Sequence, residues 1–425
     1  MELISQKQAD VAFKSAIKGL DLLNERYLDA RLRKWADNPK KMANRYDDST
    51  ATFHGGEMEL LTQRNYEKAL AHIWKAELIA PYLNIRDASK ADYVASNGGA
   101  VTASTSFMDP VIITEEIKQS VERATSDEVR REFHEAHSPE KREALMRLVS
   151  FITHGEAYAL YTSATLMPVV QGTGAKLGMA MQVMEEAKHF FTLREMCKSL
   201  DRIYPMTGSG KALVEVIARK DYYHKLFGMN VVLEGFATSI FGFLENQPGL
   251  RHIMRGFHMD ESRHSAFPQT YAKLGNIPYH VTHSRRYQWA RAMMFLPIGP
   301  LILEFKPLFD TLGYDTFAFF GKTLSKVSRL AENSGFPLPF ERTEFLMGAN
   351  ILFNRWVRVL EPEKYEGFRD YTLLGIGELS QDMELREREV FGNDIFGGVG
   401  SIIGRWLAKQ NRQSVWGSAI ATAKA

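Results

Sequence analysis

The chain carries a single cysteine, Cys197, among 425 residues. That excludes an internal disulfide and fits a reducing compartment; in an amphipathic helical stretch the thiol reads as buried and inert. Neither sign of charge is in excess. The 53 Lys and Arg residues against 51 Asp and Glu leave a formal net charge of +2, which excludes the basic footprint of a nucleic-acid binder. Long apolar runs are lacking too. The most apolar, residues 292–303 (AMMFLPIGPLIL), holds two prolines and is about half the length of a membrane-spanning helix, so it reads as a buried segment. The opening residues, MELISQK, show no basic-then-apolar secretory pattern, and a cytoplasmic protein is expected. Internal repeats and low-complexity tracts are missing, and alternating β-branched runs are scarce. Glycine clusters at 172, 174 and 178 and at 398, 400 and 404 lack the spacing and strand–helix context of a dinucleotide loop, and both read as turns.

What the sequence does have is apolar residues at helical spacing over most of its length, which predicts an all-α protein. Three regions are expected: an N-terminal helical extension over 1–137, a four-helix core over 138–275, and a C-terminal helical extension over 276–425. Small residues at 96–100 read as a loop in the first. Ser138-Pro139-Glu140 is a helix start, with Ser as N-cap and Pro at the first helical position. The core helices are predicted at 139–167, 175–203, 211–245 and 250–274, with tight turns near 171 and near 247. Beyond 285 the pattern stays helical, with breaks expected at Pro297, Pro300, Pro307, Pro337 and Pro339.

Only two of the twelve histidines have a glutamate three residues upstream: Glu186-Ala-Lys-His189 and Glu261-Ser-Arg-His264. Residues at i and i+3 share a helix face, so each pair can point two ligands into one space. A lone Glu-x-x-His is weak; the placement of these two is what carries information. Glu186 lies about fifteen residues past the first turn and Glu156 about as far before it, so in an antiparallel hairpin they stand at one height. Glu261 and Glu234 stand about thirteen residues either side of the second turn, in the same relation. Four carboxylates and two imidazoles are therefore expected at a common level. Buried together they would repel; two cations supplying about +4 to +6 of charge remove the conflict. The mixed oxygen and imidazole donor set suits iron or manganese better than zinc, and matches the carboxylate sites of di-metal helix bundles.

With these motifs the sequence resembles the ferritin-like di-iron carboxylate oxygenases, which include multicomponent monooxygenases, acyl desaturases and arylamine N-oxygenases. The likeness covers residues 140–275. It implies a ferritin-like four-helix bundle in which Glu156, Glu186 and His189 serve one iron and Glu234, Glu261 and His264 the other, with Glu186 and Glu261 bridging. Asp260-Glu261-Ser262-Arg263-His264 is similar to the family's Asp-Glu-x-Arg-His; Glu185-Glu186-Ala187-Lys188-His189 departs by Glu for Asp and Lys for Arg. The family pattern implies that Asp260 and Glu185 each hydrogen-bond a ligand histidine on the opposite helix. Thr238, one turn after Glu234, matches a threonine on the oxygen-binding side of the monooxygenases and is the candidate catalytic side chain; back-bonding to its own helix is the plainer role. His258, three residues before Glu261, is a candidate additional ligand. Where a ribonucleotide reductase subunit would place its radical tyrosine, this chain has Leu193.

The expected activity is that of an O₂-activating di-iron oxidoreductase of monooxygenase, hydroxylase or N-oxygenase type. Its cofactors would be two iron ions, with manganese an alternative in one or both positions, and O₂ its co-substrate. An apolar organic small molecule, an external electron donor such as a ferredoxin or reductase, and a second copy of the chain in a homodimer are the expected partners. Phe190, Phe236, Phe241, Phe257 and Phe267 suggest a greasy cavity near the metals. An iron-handling ferroxidase and a fatty acyl desaturase are the competing readings.

Overall fold

The computed structural model describes residues 6–38, 41, 43, 46–47, 52–53, 126–273 and 277–365. The small-residue stretch at 96–100 and the glycine cluster at 398–404 lie outside them. The described residues are helical throughout, save for connecting turns and one antiparallel bridge pairing Tyr46–Asp47 with Thr52–Phe53. The fold is all-α. It divides into two compact units, one within residues 34–267 and the other formed by residues up to 33 with those from 268 onward.

The unit within 34–267 holds the predicted core. α1 (Gln6–Leu23) and α2 (Asp29–Ala36) precede it in the chain. α3 (Asp127–Ala136) starts where the Ser126 hydroxyl accepts the Val129 N–H at 3.3 Å. α4 (Pro139–Leu166) starts as its sequence predicts, with Ser138 accepting from Lys141 N–H at 3.4 Å and Pro139 in the first turn. Gly172, at φ +88°, turns the chain into α5 (Thr173–Leu200). The two 28-residue helices pack along one another.

The third core helix departs from its expected form. In place of one helix over 211–245, the chain forms α6 (Gly208–Ala218) and then a run composed of α7 (Tyr222–Phe227), a π-helical turn (Gly228–Leu233) and α8 (Glu234–Leu244). The break comes at Asp221, whose carboxylate accepts the His224 N–H at 3.2 Å and holds His224 Nδ1 at 2.7 Å. An aspartate that can cap a new helix competes with continuing the old one. Gly228 lets the two pieces pack closely: a Cβ there would stand 2.8 Å from the Ile217 side chain. In the π-turn the Glu234 N–H reaches back to the Met229 carbonyl, five residues earlier. α9 (Arg251–Lys273) follows, with Pro268 inside it.

From residue 277 the elements are α10 (Tyr279–His283), α11 (Arg285–Ala292), a 3₁₀ turn (Met293–Phe295), α12 (Ile298–Leu312), α13 (Thr316–Asn333), α14 (Arg342–Leu360) and α15 (Pro362–Tyr365). Pro337 and Pro339 lie in the break before α14, where buried Arg291 donates to the Pro337 carbonyl. Pro300 and Pro307, expected to break the helix, sit within α12. Pro300 falls in its first turn, where no N–H is needed. Pro297 does stand at a break, since the 3₁₀ turn and Leu296-Pro297 separate α11 from α12. Residues 285–312 taken together, 33% buried over their most apolar stretch, and Tyr222–Leu244, 78% buried, are long and apolar enough to cross a bilayer by length and composition.

Gly249, in the turn before α9, has φ +77°, and a Cβ there would lie 2.7 Å from the Phe133 Cβ. Gly249→Ala should lower thermal stability by more than about 1 kcal/mol; a melting temperature equal to that of the parent would contradict this packing of the turn on α3.

Candidate metal centre

The six residues expected at one height come together. Glu156 stands in α4, Glu186 and His189 in α5, Glu234 at the start of α8, and Glu261 and His264 in α9. Each is at most 3% exposed. Their donor atoms form two overlapping groups, Glu156–Glu186–His189–Glu261 and Glu186–Glu234–Glu261–His264, all within 4.8 Å of one another in each. Glu186 and Glu261 belong to both groups, so each can offer one oxygen to either side.

Both imidazoles turn Nδ1 inward. His189 Nδ1 lies 2.9 Å from Glu261 Oε1, 3.6 Å from Glu156 Oε2 and 3.7 Å from Glu186 Oε2. His264 Nδ1 lies 2.9 Å from Glu261 Oε2, 3.1 Å from Glu186 Oε1 and 3.5 Å from Glu234 Oε1. The far nitrogens are held by the acids that precede the shared glutamates: His189 Nε2 meets Asp260 Oδ2 at 3.0 Å and His264 Nε2 meets Glu185 Oε2 at 2.9 Å. A carboxylate can only accept there, so Nε2 carries the proton and Nδ1 is left to face the cluster as a ligand atom. Lys188 Nζ, 2.5 Å from Asp260 Oδ2, and Arg263, which reaches Asp260 and lies 2.5 Å from Glu185 Oε1, balance these outer acids.

Inside that ring the charges do not balance. Burial, then repulsion from Glu261 and Glu186, pushes Glu156 and Glu234 well above the usual carboxylate range. Burial would also raise Glu186 and Glu261, but the histidines and neighbouring hydrogen bonds hold Glu186 well below that range and Glu261 at about 2. Burial alone would lower both imidazoles, yet the surrounding carboxylates lift His189 and His264 well above 6.5. These opposed shifts place protons and negative charge in competition within one buried cluster. Glu186 Oε2, Glu261 Oε1 and His189 Nδ1 are buried without a hydrogen-bond partner, the 2.9 Å approach of the last two lacking hydrogen-bond geometry. Buried polar atoms are rarely left so. Three orphaned donor atoms, all aimed at one another, fit a pair of hard or borderline cations with oxygen and imidazole ligands.

A small apolar cavity of about 40 Å³ reaches the Glu156 and Glu234 side of the cluster. Gly155 and Ala159 of α4 and Ala237 of α8 leave the space, and Phe151, Leu213 and Phe236 are among its walls. Nothing lies within 4 Å of where a Gly155 Cβ would be. On the other side Phe257 packs 4.3 Å from the His189 ring and Phe241 6.5 Å from it.

Two expected participants are placed differently. His258 is not brought to the cluster; it is half-buried and its Nδ1 pairs with Glu245 Oε2 at 3.2 Å. Thr238 is buried, but its hydroxyl donates to the carbonyls of Glu234 (2.9 Å) and Gly235 (3.1 Å), the back-bonded role. Two residues with no motif to mark them do join the site: Gln182, one turn before Glu186, and Asn230 in the π-turn. Each stands one turn before a candidate ligand, Glu186 or Glu234, but nothing in the sequence marks it as buried.

If metal displaces protons held by His189, His264, Glu156 and Glu234, uptake near neutral pH must release protons, and affinity must rise with pH. Titration of weakly buffered protein with Mn(II) is expected to acidify the solution; uptake without acid release would contradict this assignment of the protons.

No family model, no curated protein and no solved structure matches the chain.

Proposed function

We propose that this chain is an O₂-activating di-iron oxidoreductase built on a ferritin-like four-helix bundle, acting on an apolar organic small molecule. The observation that carries the reading is the pair of overlapping donor sets that share Glu186 and Glu261, with three of their atoms buried and unpartnered. Glu156, Glu186, His189 and Glu261 would hold one ion and Glu186, Glu234, Glu261 and His264 the other, iron in both positions or manganese in one or both. When bound, such a pair supplies the oxygen binding and redox capacity that side chains lack.

The chain's own residues do the rest. Asp260 and Glu185 fix the tautomer and angle of the two imidazoles, and Lys188 and Arg263 pair with those acids from outside. Phe257 and Phe241 pack their rings near the His189 imidazole. The cavity beside Glu156 and Glu234 offers apolar walls to a slender group, since its volume accommodates only a few water-sized units. That apolar space is the feature that favours an organic substrate over iron storage, which has no use for apolar space at the metals. An external electron donor such as a ferredoxin or reductase, a homodimeric assembly and a cytoplasmic setting belong to the same reading.

Anaerobic titration with Fe(II) is expected to saturate at about two ions per chain, with His189→Ala and His264→Ala together abolishing uptake. Admitting air to the loaded protein should consume O₂ without further iron uptake. Loading far beyond two ions would favour the iron-handling alternative, and no tight binding would sink the proposal.

A further inference from the structure

Gln182 and Asn230 form a buried amide pair whose polarity is set from one end. Asn230 Nδ2 lies 3.1 Å from the His264 backbone carbonyl, which can only accept. That places the Asn230 NH₂ group there, and the same Nδ2 lies 2.8 Å from Gln182 Oε1. Gln182 must then turn its own NH₂ the other way, where Nε2 donates to Glu234 Oε1 at 2.8 Å and Glu186 Oε1 at 3.2 Å. The flipped arrangement would set acceptor against acceptor at the His264 carbonyl and at Glu186. Gln182 is 2% exposed and Asn230 fully buried, so water does not compete for these donors.

The oxygens that Gln182 holds are the ones that matter to one side of the cluster. Glu186 Oε1 and Glu234 Oε1 are the same atoms that approach His264 Nδ1, at 3.1 Å and 3.5 Å. A carboxylate oxygen has room for one N–H and one cation, so the amide can pin each oxygen while leaving it free to ligate. The opposite side has no such device: among the described residues, no side-chain amide donates to Glu156 or His189. Asn230 owes its place to the π-turn just before Glu234, and π-turns recur where a helix has to re-aim a functional side chain.

We infer that Gln182, oriented by Asn230, is a positioning residue for the metal ion held by Glu186, Glu234, Glu261 and His264, and that the other ion does not depend on it. The inference rests on the proposed two-metal reading. It carries the consequence that the two positions are unequal and can be emptied separately.

The test is Mn(II) binding to the full-length chain, followed by calorimetry and by electron paramagnetic resonance, which distinguishes a spin-coupled pair from an isolated ion. The parent should bind two ions and give a coupled signal. Gln182→Met, similar in size but without donors, is expected to keep one ion and weaken the second at least tenfold, so that the isolated six-line Mn(II) signal appears at one ion per chain. Asn230→Leu, similar in size, keeps Gln182 but removes the donor that orients it, and should produce the same selective loss. If Gln182→Met loses its helical circular dichroism, Asn230→Leu decides alone. Two ions bound with parental affinity and a coupled signal in the folded variants would overturn the inference. A parent chain that binds no Mn(II) or Fe(II) would instead overturn the metal reading beneath it.

Discussion

A carboxylate withdrawn from water needs a counter-charge or a proton, and the interior of this protein gathers Glu156, Glu186, Glu234 and Glu261 within reach of one another. Most of what surrounds them can be understood as a response to that constraint. The two imidazoles are held by Asp260 and Glu185, those acids by Lys188 and Arg263, and two of the central oxygens by Gln182. Each layer satisfies the one inside it, except the innermost. There the carboxylates and histidines crowd one another, and three atoms go without hydrogen-bond partners. Such an arrangement is costly for a helical scaffold of no chemical purpose, because apolar residues of similar size would pack as well without the repulsion.

The helices carry this cluster in a way that separates support from chemistry. α4 and α5 pack along their whole length and bring Glu156 opposite Glu186. The third segment is less regular: it is cut at Asp221 and passes through a π-turn before Glu234. These irregularities fall where the chain has to deliver both a ligand, Glu234, and the residue that orients Gln182. The apolar space opened by Gly155, Ala159 and Ala237 borders Glu156 as well as Glu234. Irregular backbone and buried amide thus converge on the Glu234 flank, while the Asp260, Lys188 and Arg263 charges lie behind the histidines.

Much of this was legible in the sequence, for a reason that can be stated. Tight turns near 171 and 247 make helix position a measure of height, so equal counts from a turn locate facing residues; this put the six ligands together and needed only the helical rise. The roles of the acids at 185 and 260 came from the resemblance to the family's motif, and agree with the need of a metal-bound histidine for an acceptor on its far nitrogen. The same counting failed for features that leave no periodic trace. One added residue in a π-turn does not disturb an apolar pattern, so Asn230 was invisible, and Gln182 looked like any polar residue on a long helix. His258 is near Glu261 in sequence, but Glu245 competes for it successfully. Pro300 looked like a stop, but it falls in the first turn of α12, where a proline costs no hydrogen bond, while Pro307 stands in the interior of the same helix.

Glu186 and Glu261, each common to both donor groups, are the centre of the proposed metal site. Anomalous diffraction from crystals loaded with Mn(II) under anaerobic conditions addresses that sharing directly. Two peaks, one among Glu156, Glu186, His189 and Glu261 and the other among Glu186, Glu234, Glu261 and His264, are the expected result. A single peak, or density only at surface carboxylates, would contradict the account and leave the buried cluster as a proton-sharing network of the fold.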